Sequence, residues 1–387
     1  MNTVKIAMIG VGNISGIYLK NITGLYKEIE LIGVCDLVRE RAEKAQEKYS
    51  IPKIYDTMHD AFADPEVDIV LNLTRPYQHY DVTKAALLAG KHVYSAKPLA
   101  AEWKKGKELL EIAKEKKLML GGAPDTFLGA GIQTCRRLID DGYIGTPIGS
   151  AAYFIGRGME TWHPEPDFFY QYGGGPMMDM GPYYVTAMVN LMGKIDRVVS
   201  ASRPSFPKRL ITSQPHAGET IDVNVNTYVA GTVQYASGAI GTIFTTFDVY
   251  FPSEKTRFIE IYGTEGTLFV PDPNNFSGKI ELYRPEEGKV REIPMMYGYP
   301  ENSRGLGLAD MAKALRTGRE ARCDVQQTSH VLEVMCGFAT SAETGGWVDI
   351  ETDYHRSASG SRRLGTLGRR LGSRHYYGRL CAAVCMG

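Results

Sequence analysis

Residues Val4 to Ser15 read VKIAMIGVGNIS, and this stretch decides the fold. Its first half is a short apolar run of the kind that forms a strand buried on both faces. The second half matches the dinucleotide-binding pattern G-x-G-x-x-G, with Ser15 in the place of the third glycine. The first glycine of this pattern permits a tight turn, the second lets a pyrophosphate approach, and the next helix points its amides at the phosphates. We therefore predict a dinucleotide site at Gly10, Gly12, Asn13 and Ile14.

A glycine turn alone is weak support, because ordinary α/β proteins also pass from strand to helix in this way. Glu30–Cys35 reads as the next buried strand, and Asp36 follows it, 21 positions after Ser15. An acid there accepts hydrogen bonds from the adenosine ribose. The alternative is that Asp36 only caps a helix that starts near Arg39. A carboxylate repels a 2′-phosphate, so we expect NAD as cofactor, while Arg39 leaves NADP possible.

The composition narrows the class of protein. A chain of 387 residues with 43% hydrophobic residues can build two domains with sizeable cores. No apolar run reaches the ~18 residues of a membrane span, and the first strand begins too early for a signal peptide, so we expect neither. Six scattered cysteines without a C-x-x-C pair indicate reduced thiols in a cytoplasmic protein, with no disulfide framework and no metal site. The net charge of zero gives no sign of nucleic-acid binding.

The order of predicted elements indicates an α/β protein with two domains. Over residues 1–122 strands alternate with helices, which predicts a parallel, doubly wound sheet. One helix there spans Thr57–Phe62, and we expect Asp56 to cap it. Over residues 123–353 longer strand-like runs meet at glycine-containing turns, which predicts a largely antiparallel sheet with helices on one face.

Residues 354–387 differ from the rest of the chain. From Arg356 onward there are seven arginines, no lysine and no acid, so residues 1–355 carry a net charge of −7. We interpret this segment as a disordered basic tail. It is either an arm with a binding role or a terminal extension unrelated to the fold.

Two further motifs point to a family. The first is NLTRPYQH at residues 72–79 followed by GKHVYSAKPL at 90–99, and the second is GGGPMMDMGPYY at 173–184. Together with the opening loop, they resemble the Gfo/Idh/MocA oxidoreductases, which include glucose–fructose oxidoreductase and inositol dehydrogenase. The resemblance covers about residues 1–350. It implies an N-terminal Rossmann domain, a C-terminal α/β domain whose open sheet forms a homo-oligomer, and hydride transfer between a sugar-like hydroxyl and NAD(P).

The resemblance also assigns site residues. The family's E-K-P motif falls on Ala96-Lys97-Pro98, so the lysine is kept and the glutamate is lost. Its D-x-G-x-H motif falls on Asp179 to Tyr183, with tyrosine in place of the usual histidine, as in the glucose–fructose and dihydrodiol enzymes. The resemblance implies that Thr74, Pro76 and His79 lie near the cofactor, although His79 could equally begin a helix as a cap.

The chemistry of the central residues can be argued without the family. Lys97 follows a strand at the carboxyl edge of the parallel sheet, where ligands bind in such folds. Its ammonium would polarise a substrate oxygen and favour the phenolate of a neighbouring tyrosine. Tyr183 would then take the hydroxyl proton as hydride leaves the carbon. The alternative for Lys97 is an ordinary surface lysine at the end of a strand. The alternative for Tyr183 is an aromatic residue of the core, in which case Tyr184 would be the reactive tyrosine.

Asp179 precedes Tyr183 by four residues, so one helical face would present both, unless Pro182 breaks that helix. Three further candidates come from loops. Trp162 would stack on a sugar and His163 would bind a hydroxyl or act as a second base; the alternative is a packed lid. Asp125 is either a hydroxyl-binding carboxylate or a helix cap.

These observations favour an NAD(P)-dependent dehydrogenase acting on a sugar, glycoside or cyclic polyol. An NAD-retaining glycosidase that works by oxidation and elimination is the second interpretation. A non-catalytic sensor of sugar and dinucleotide is the third, and retention of Lys97 argues against it.

Overall fold

A computed structural model describes residues 3–250 and 256–357. The first domain contains a six-stranded sheet in which every neighbouring pair is parallel, in the order β3-β2-β1-β4-β5-β6. This confirms the predicted doubly wound sheet. The strand order reverses between β1 and β4, and ligands bind at such a switch point beyond the carboxyl ends of the strands. The strands are β1 (Val4–Ile9), β2 (Ile29–Cys35), β3 (Lys53–Ile54), β4 (Ile69–Asn72), β5 (His92–Ser95) and β6 (Leu120–Gly122).

Five helices connect these strands: α1 (Ser15–Gly24), α2 (Arg39–Tyr49), α3 (Met58–Ala63), α4 (His79–Leu88) and α5 (Trp103–Lys116). The prediction that Asp56 caps the third helix is wrong. Thr57 is the N-cap, and its hydroxyl accepts from the Asp60 amide while the Asp60 carboxylate accepts from the Thr57 amide. This reciprocal pair satisfies two amide donors at once, which a cap by Asp56 would not do.

The second domain is built on a nine-stranded sheet in the order β16-β15-β14-β13-β7-β12-β11-β8-β17. Only β7 and β12 pair in parallel among its described strands, which confirms a largely antiparallel sheet. Its strands, and a separate hairpin of β9 and β10, are β7 (Pro147–Ile155), β8 (Ile195–Arg203), β9 (Lys208–Leu210), β10 (Thr220–Asp222), β11 (Tyr228–Tyr235), β12 (Ile240–Thr246), β13 (Arg257–Gly263), β14 (Thr267–Val270), β15 (Ile280–Tyr283), β16 (Val290–Ile293) and β17 (Val348–Asp349).

Helices cover one face of this sheet, and the core of the domain lies between them and the strands. They are α6 (Ala130–Asp140), α7 (Pro176–Asp179), α8 (Gly181–Met192) and α10 (Val325–Thr344). Successive strand residues point to opposite faces. Val229 and Val233 are accordingly buried toward the helices, while Tyr228 and Ile240 are 38% and 59% exposed on the other face.

The chain returns to the first domain after the large sheet. The loop before the helix α9 (Leu306–Thr317) packs against α1, and α9 itself contacts β6. The Asn21 side chain donates to the carbonyls of Asn302 (2.9 Å) and Arg304 (2.8 Å), and the Gly122 amide donates to the Cys323 carbonyl (3.1 Å). The predicted boundary after residue 122 coincides with the end of β6, but residues 302–323 also contribute to the first domain.

The predicted basic tail is described only over residues 354–357, and residues 358–387 lie outside the described part of the chain. Tyr354 is buried, and its ring stacks on that of His330 with centroids 5.3 Å apart. Arg356 donates to the Asp140 carboxylate and to the Leu191 carbonyl, both at 3.2 Å. The packed part of the chain therefore extends past Asp353, where the prediction ended it.

Within residues 3–250 and 256–357, no helix combines the length and apolarity required to cross a bilayer. The same residues contain no group of three histidine, cysteine or acidic side chains arranged to hold a metal ion.

Candidate active site

The glycine loop has the shape that its sequence predicts. Gly10 has a φ of +95°, and a Cβ at this position would lie 2.8 Å from the Leu73 carbonyl group, so only glycine fits. A Cβ on Gly12 would meet nothing within 4 Å, which leaves open space over the loop. The helix α1 then begins without a side-chain cap. The Ser15 amide donates to the Gly12 carbonyl at 3.0 Å, and a helix start without a side-chain cap suits a phosphate site.

Asp36 lies beside this loop at the end of β2. One carboxylate oxygen accepts from the Val11 amide at 2.6 Å, and the other accepts from the Val38 amide at 2.8 Å. The side chain thus ties the glycine loop to the start of α2. The guanidinium of Arg39 is held by Asp56 and, at 3.3 Å, by Glu43, which turns it toward acidic partners of its own domain.

A buried asparagine organises the loop after β4. The Asn72 side chain accepts from the Thr74 hydroxyl (2.7 Å) and donates to the His79 carbonyl (3.1 Å). The sequence motif contains Asn72, but its spacing did not suggest this role. The residue fixes Thr74 and the segment that begins with Pro76 at the carboxyl end of β4, beside the glycine loop.

His79 is buried and links the two loops on either side of it. Its Nδ1 lies 2.7 Å from the Pro98 carbonyl oxygen, and its Nε2 lies 2.9 Å from the Thr74 carbonyl oxygen. A neutral imidazole has one N–H and donates to only one of them. Burial lowers the pKa of His79, and the nearby charge of Lys97 lowers it further. His79 is the first residue of α4, but its ring does not cap the helix. The ring instead holds Thr74 and Pro98 together.

Lys97 brings the two domains together at the carboxyl edge of the parallel sheet. Its ammonium lies 2.5 Å from both the Oδ1 and the main-chain oxygen of Asp179. It also lies 5.2 Å from the centre of the Tyr183 ring. Burial alone would lower the pKa of Lys97, but the charges of Asp179 and Tyr183 and the hydrogen bond to Asp179 together outweigh burial and raise it. The three residues predicted to carry the chemistry are therefore neighbours, and the lysine is charged.

Asp179 and Tyr183 do not share one helix, so that part of the prediction is wrong. The helix α7 ends at Asp179 and α8 begins at Gly181. Pro182 lies in the first turn of α8, where its missing amide proton breaks no hydrogen bond. The proline thus starts a new helix, and Lys97 rather than helical spacing brings the two side chains together.

The neighbouring tyrosine points elsewhere. Tyr184 is fully buried, and its hydroxyl donates to the Asp272 carboxylate at 3.4 Å. Its ring packs edge-on against Phe154 of the large sheet. Of the two tyrosines, only Tyr183 is in contact with Lys97.

Arg304 is a residue of this site that no sequence signal indicated. It precedes α9, and its guanidinium carbon lies 6.0 Å from the centre of the Tyr183 ring. A single arginine in the sequence Ser-Arg-Gly has no motif spacing, so only the return of the chain to the first domain reveals it.

Asp125 is buried at 1% exposure. Its Oδ2 accepts from the amides of Gly305 (2.8 Å) and Gly307 (3.0 Å), at the start of α9. Burial raises the pKa of this carboxyl, and the amide bonds oppose the rise. Of the two roles considered for Asp125, this geometry is the helix cap, although the capped helix lies 180 residues further along the chain.

A long loop from the second domain covers this region. His163 is buried, and its Nδ1 accepts from the Glu165 amide at 3.0 Å. Burial lowers the pKa of this imidazole, and the charge of Arg75 lowers it further. Trp162 is 61% exposed and lies edge-on to the His163 ring. The histidine is thus packed as part of the loop, and the indole is free to meet a ligand.

The same loop is joined to the first domain at two places. Arg75 forms an ion pair with Glu165 and lies 4.8 Å from the centre of the Phe168 ring. Tyr172 donates to Glu102 and accepts from Lys105. These contacts join the loop to the segments that follow β4 and β5.

Solved structures share the fold of this chain. The fold superimposes on levoglucosan dehydrogenase in complex with NADH with a TM-score of 0.79, over 91% of this chain and 100% of that one, at 17% identity. At this identity the likeness establishes the fold.

Two curated relatives show the range of sequence similarity. Inositol 2-dehydrogenase of Salmonella paratyphi B is 32% identical over 158 residues, which are 38% of this chain. The chain spans only 44% of that relative's length. D-xylose 1-dehydrogenase (NADP(+)) 2 of Haloferax volcanii is 24% identical over 353 residues, 89% of this chain and 100% of the relative.

Two family descriptions match the chain in succession. Residues 4–122 match the oxidoreductase family with the NAD-binding Rossmann fold, and residues 132–269 match the GFO/IDH/MocA C-terminal domain. The glycine loop and Lys97 lie within the first matched region, and the Asp179–Tyr183 segment lies within the second. The chain therefore belongs to the GFO/IDH/MocA oxidoreductase family.

Proposed function

We propose that this protein is an NAD(P)-dependent oxidoreductase that transfers a hydride between a secondary hydroxyl of a sugar, glycoside or cyclic polyol and the nicotinamide. The observation that carries this proposal is the meeting of Lys97 with Asp179 and Tyr183 beyond the carboxyl edge of the parallel sheet. The named activities of the relatives, inositol 2-dehydrogenase and D-xylose 1-dehydrogenase, support the substrate class.

The residues around the switch point fit a dinucleotide. The open space at Gly12 and the uncapped amides of α1 suit a diphosphate, which Gly10, Gly12, Asn13 and Ile14 would hold. Asp36 would accept from the adenosine ribose. Thr74, Pro76, His79 and Lys97 would border the nicotinamide. The bound nicotinamide supplies the hydride acceptor, which no amino-acid side chain provides.

The protein residues handle the proton. In the direction of oxidation, the substrate hydroxyl would lie between the Lys97 ammonium and the Tyr183 hydroxyl. Tyr183 in its phenolate form takes the hydroxyl proton as the carbonyl forms. Lys97 donates a hydrogen bond to the same oxygen, and Asp179 holds the ammonium in place. Trp162 and His163 would bind the sugar from the covering loop, and Asp125 would act through the start of α9.

We infer a preference for NAD over NADP. Asp36 presents its carboxylate beside the glycine loop, and a 2′-phosphate would meet that negative charge. Arg39, the cation nearest in sequence, is engaged by Asp56 and Glu43. The side chains of Arg39 and Asp56 are both mostly exposed, so their ion pair is weak. Arg39 can therefore leave Asp56 for a 2′-phosphate, which permits some use of NADP.

The test is a panel of sugars, glycosides and cyclic polyols with NAD and with NADP, followed by the absorbance of the reduced nicotinamide. Steady formation of NADH with at least one free sugar or polyol is the expected result. Release of a reducing sugar from a glycoside without net NADH would instead indicate the NAD-retaining glycosidase. Binding of cofactor and sugar without any turnover would favour the sensor.

We also infer that the open face of the large sheet joins copies of this chain. In the described residues its strands present Tyr228, Ile240 and Thr242 to solvent. A broad apolar face of this kind commonly marks an interface. Light scattering of the purified protein should give a multiple of the monomer mass, and Ile240→Asp should reduce it.

A further inference from the structure

Arg304 is anchored beside the proposed catalytic tyrosine, with its guanidinium carbon 6.0 Å from the centre of the ring. Its Nη2 donates to the main-chain oxygen (3.1 Å) and the side-chain oxygen (2.7 Å) of Asn274, and its Nη1 donates to Oδ1 of Asn302 (2.8 Å). A guanidinium has five N–H groups. Those three bonds fix the plane of the group and leave N–H groups for the Tyr183 hydroxyl. Tyr183 thus lies near two cations.

The two cations differ in what already neutralises them. Lys97 is 2.5 Å from the Asp179 carboxylate, so the pair as a whole carries no net charge. The hydrogen bonds of Arg304 to Asn274 and Asn302 go to neutral oxygens, and within residues 3–250 and 256–357 its guanidinium forms no ion pair with a carboxylate. The field of Arg304 therefore acts on Tyr183 with less cancellation than that of Lys97.

Further ionisable groups face this cluster from the surrounding elements. Tyr18 comes from α1, Asp125 from the segment after β6, and Cys323 from the segment before α10. Asp125 and, from the loop after β14, Asp272 are the carboxylates near Arg304. Asp125 accepts from the amides of Gly305 and Gly307, and Asp272 accepts from the Asn274 amide and the Tyr184 hydroxyl. Burial lowers the pKa of Arg304, but the charges of Tyr183, Asp125 and Tyr18 and a hydrogen bond with Tyr183 together outweigh that effect. Arg304 is charged in this setting.

A tyrosine in the proton-transfer position needs such support. A free tyrosine ionises near pH 10, whereas the histidine that usually fills this position ionises near pH 6.5. A base works best when its pKa lies near the working pH. Replacing histidine by tyrosine therefore requires extra positive charge close to the phenol.

We propose that Arg304 is a positioning residue that acts through Tyr183, holding its hydroxyl and stabilising the phenolate that accepts the substrate proton. This inference rests on the proposed dehydrogenase function only for its kinetic test. It requires no contact between Arg304 and the substrate, and no change in how the dinucleotide binds.

The first experiment compares wild type, Arg304→Met and Arg304→Lys by the pH dependence of kcat for oxidation. In Arg304→Met the acidic limb of the pH profile of kcat should move to higher pH by about one to three units. The reason is that the positive charge near the Tyr183 phenolate has been removed. Arg304→Lys keeps the charge and should recover most of the shift. KM for NAD should stay within about twofold. Arg284→Met is the matched control, since this arginine is also largely buried but pairs with Glu265 and Glu286 in the large sheet.

The second experiment requires no turnover. Protein labelled with ¹³C at the tyrosine Cζ is titrated without ligands, and the signal that Tyr183→Phe removes is followed. In Arg304→Met this signal should change at a higher pH than in wild type, with Arg284→Met unchanged. If no substrate is turned over but the signal moves, the proposed function fails and the role of Arg304 stands. If the folded Arg304→Met protein leaves both the limb and the signal in place, the inference is overturned.

Discussion

The Lys97 ammonium of the first domain lies 2.5 Å from the Asp179 carboxylate of the second, so one ion pair joins the domains at the candidate active site. The exposed fractions of the two side chains are 20% and 14%. Removing one partner of a largely buried pair leaves an uncompensated charge and commonly costs several kcal/mol. The pair therefore serves to align the domains as well as to hold the lysine.

Tyr183→Phe should lower kcat by about 10²–10⁴-fold, the usual worth of a placed acid or base, because it removes the transferable proton and keeps the ring. The affinity for NAD should change little. Tyr184→Phe is the matched control, since it deletes a neighbouring hydroxyl that faces Asp272. Steady-state kinetics and a cofactor titration check both variants. If Tyr183→Phe keeps near-wild-type turnover while His163→Ala does not, His163 is the base.

Lys97→Met should cost at least as much in kcat as Tyr183→Phe. The substitution keeps the packing of the stem but deletes the charge that orients the substrate oxygen and supports the phenolate. Because the two residues act on one proton, the double variant should be little worse than the poorer single variant. A double variant whose loss equals the product of the two single losses would falsify this shared role. The measurement is kcat at saturating substrate.

Asp36→Ala should narrow the preference for NAD over NADP, because the carboxylate that meets the ribose is removed. The same change deletes the hydrogen bonds to the Val11 and Val38 amides, so the affinity for NAD should also fall. Fluorescence titration with NADH and NADPH measures both effects. Asp56→Ala, which changes a mostly exposed acid on Arg39, serves as the comparison. A wild-type preference for NADPH would contradict the assignment and direct attention to Arg39.

Acid should destabilise the protein partly through His330. Burial lowers the pKa of this imidazole to about 4, and the charge of Lys194 lowers it further. The unfolded chain takes up the proton near pH 6.5, so the stability is fully present above that pH and is lost as the pH falls from about 6.5 to 4. A shift of this size corresponds to about 3 kcal/mol.

The variant His330→Gln should therefore lose less thermal stability than wild type between pH 7 and pH 5. In the structure the Ile195 amide donates to His330 Nε2, and glutamine retains an oxygen that can accept this hydrogen bond. His355→Gln is the control, because the His355 side chain is 83% exposed. Melting temperatures at the two pH values decide the question. Equal pH dependence in His330→Gln and wild type would count against a role for His330.

The sequence by itself determined the elements and their class. The apolar runs, the glycine loop and the alternation of strands with helices placed α2 at Arg39–Tyr49 and β5 at His92–Ser95, as the structure has them. These features depend on local patterns of polarity and backbone freedom, which the chain carries at each position. The sequence also determined that Lys97 lies at the carboxyl edge of the sheet, because the residue follows a parallel strand and the direction of that strand fixes the edge.

Only the tertiary structure decided which side chains meet. Asp179 and Tyr183 lie on two helices, and Lys97 from the other domain unites them. Asp125 caps a helix 180 residues away, and Arg304 reaches Tyr183 because the chain returns to the first domain before α9. Local spacing contains no information about such long-range contacts, because packing against the whole core sets them. The sequence therefore indicated the chemistry of the site, and the fold determined its charge balance.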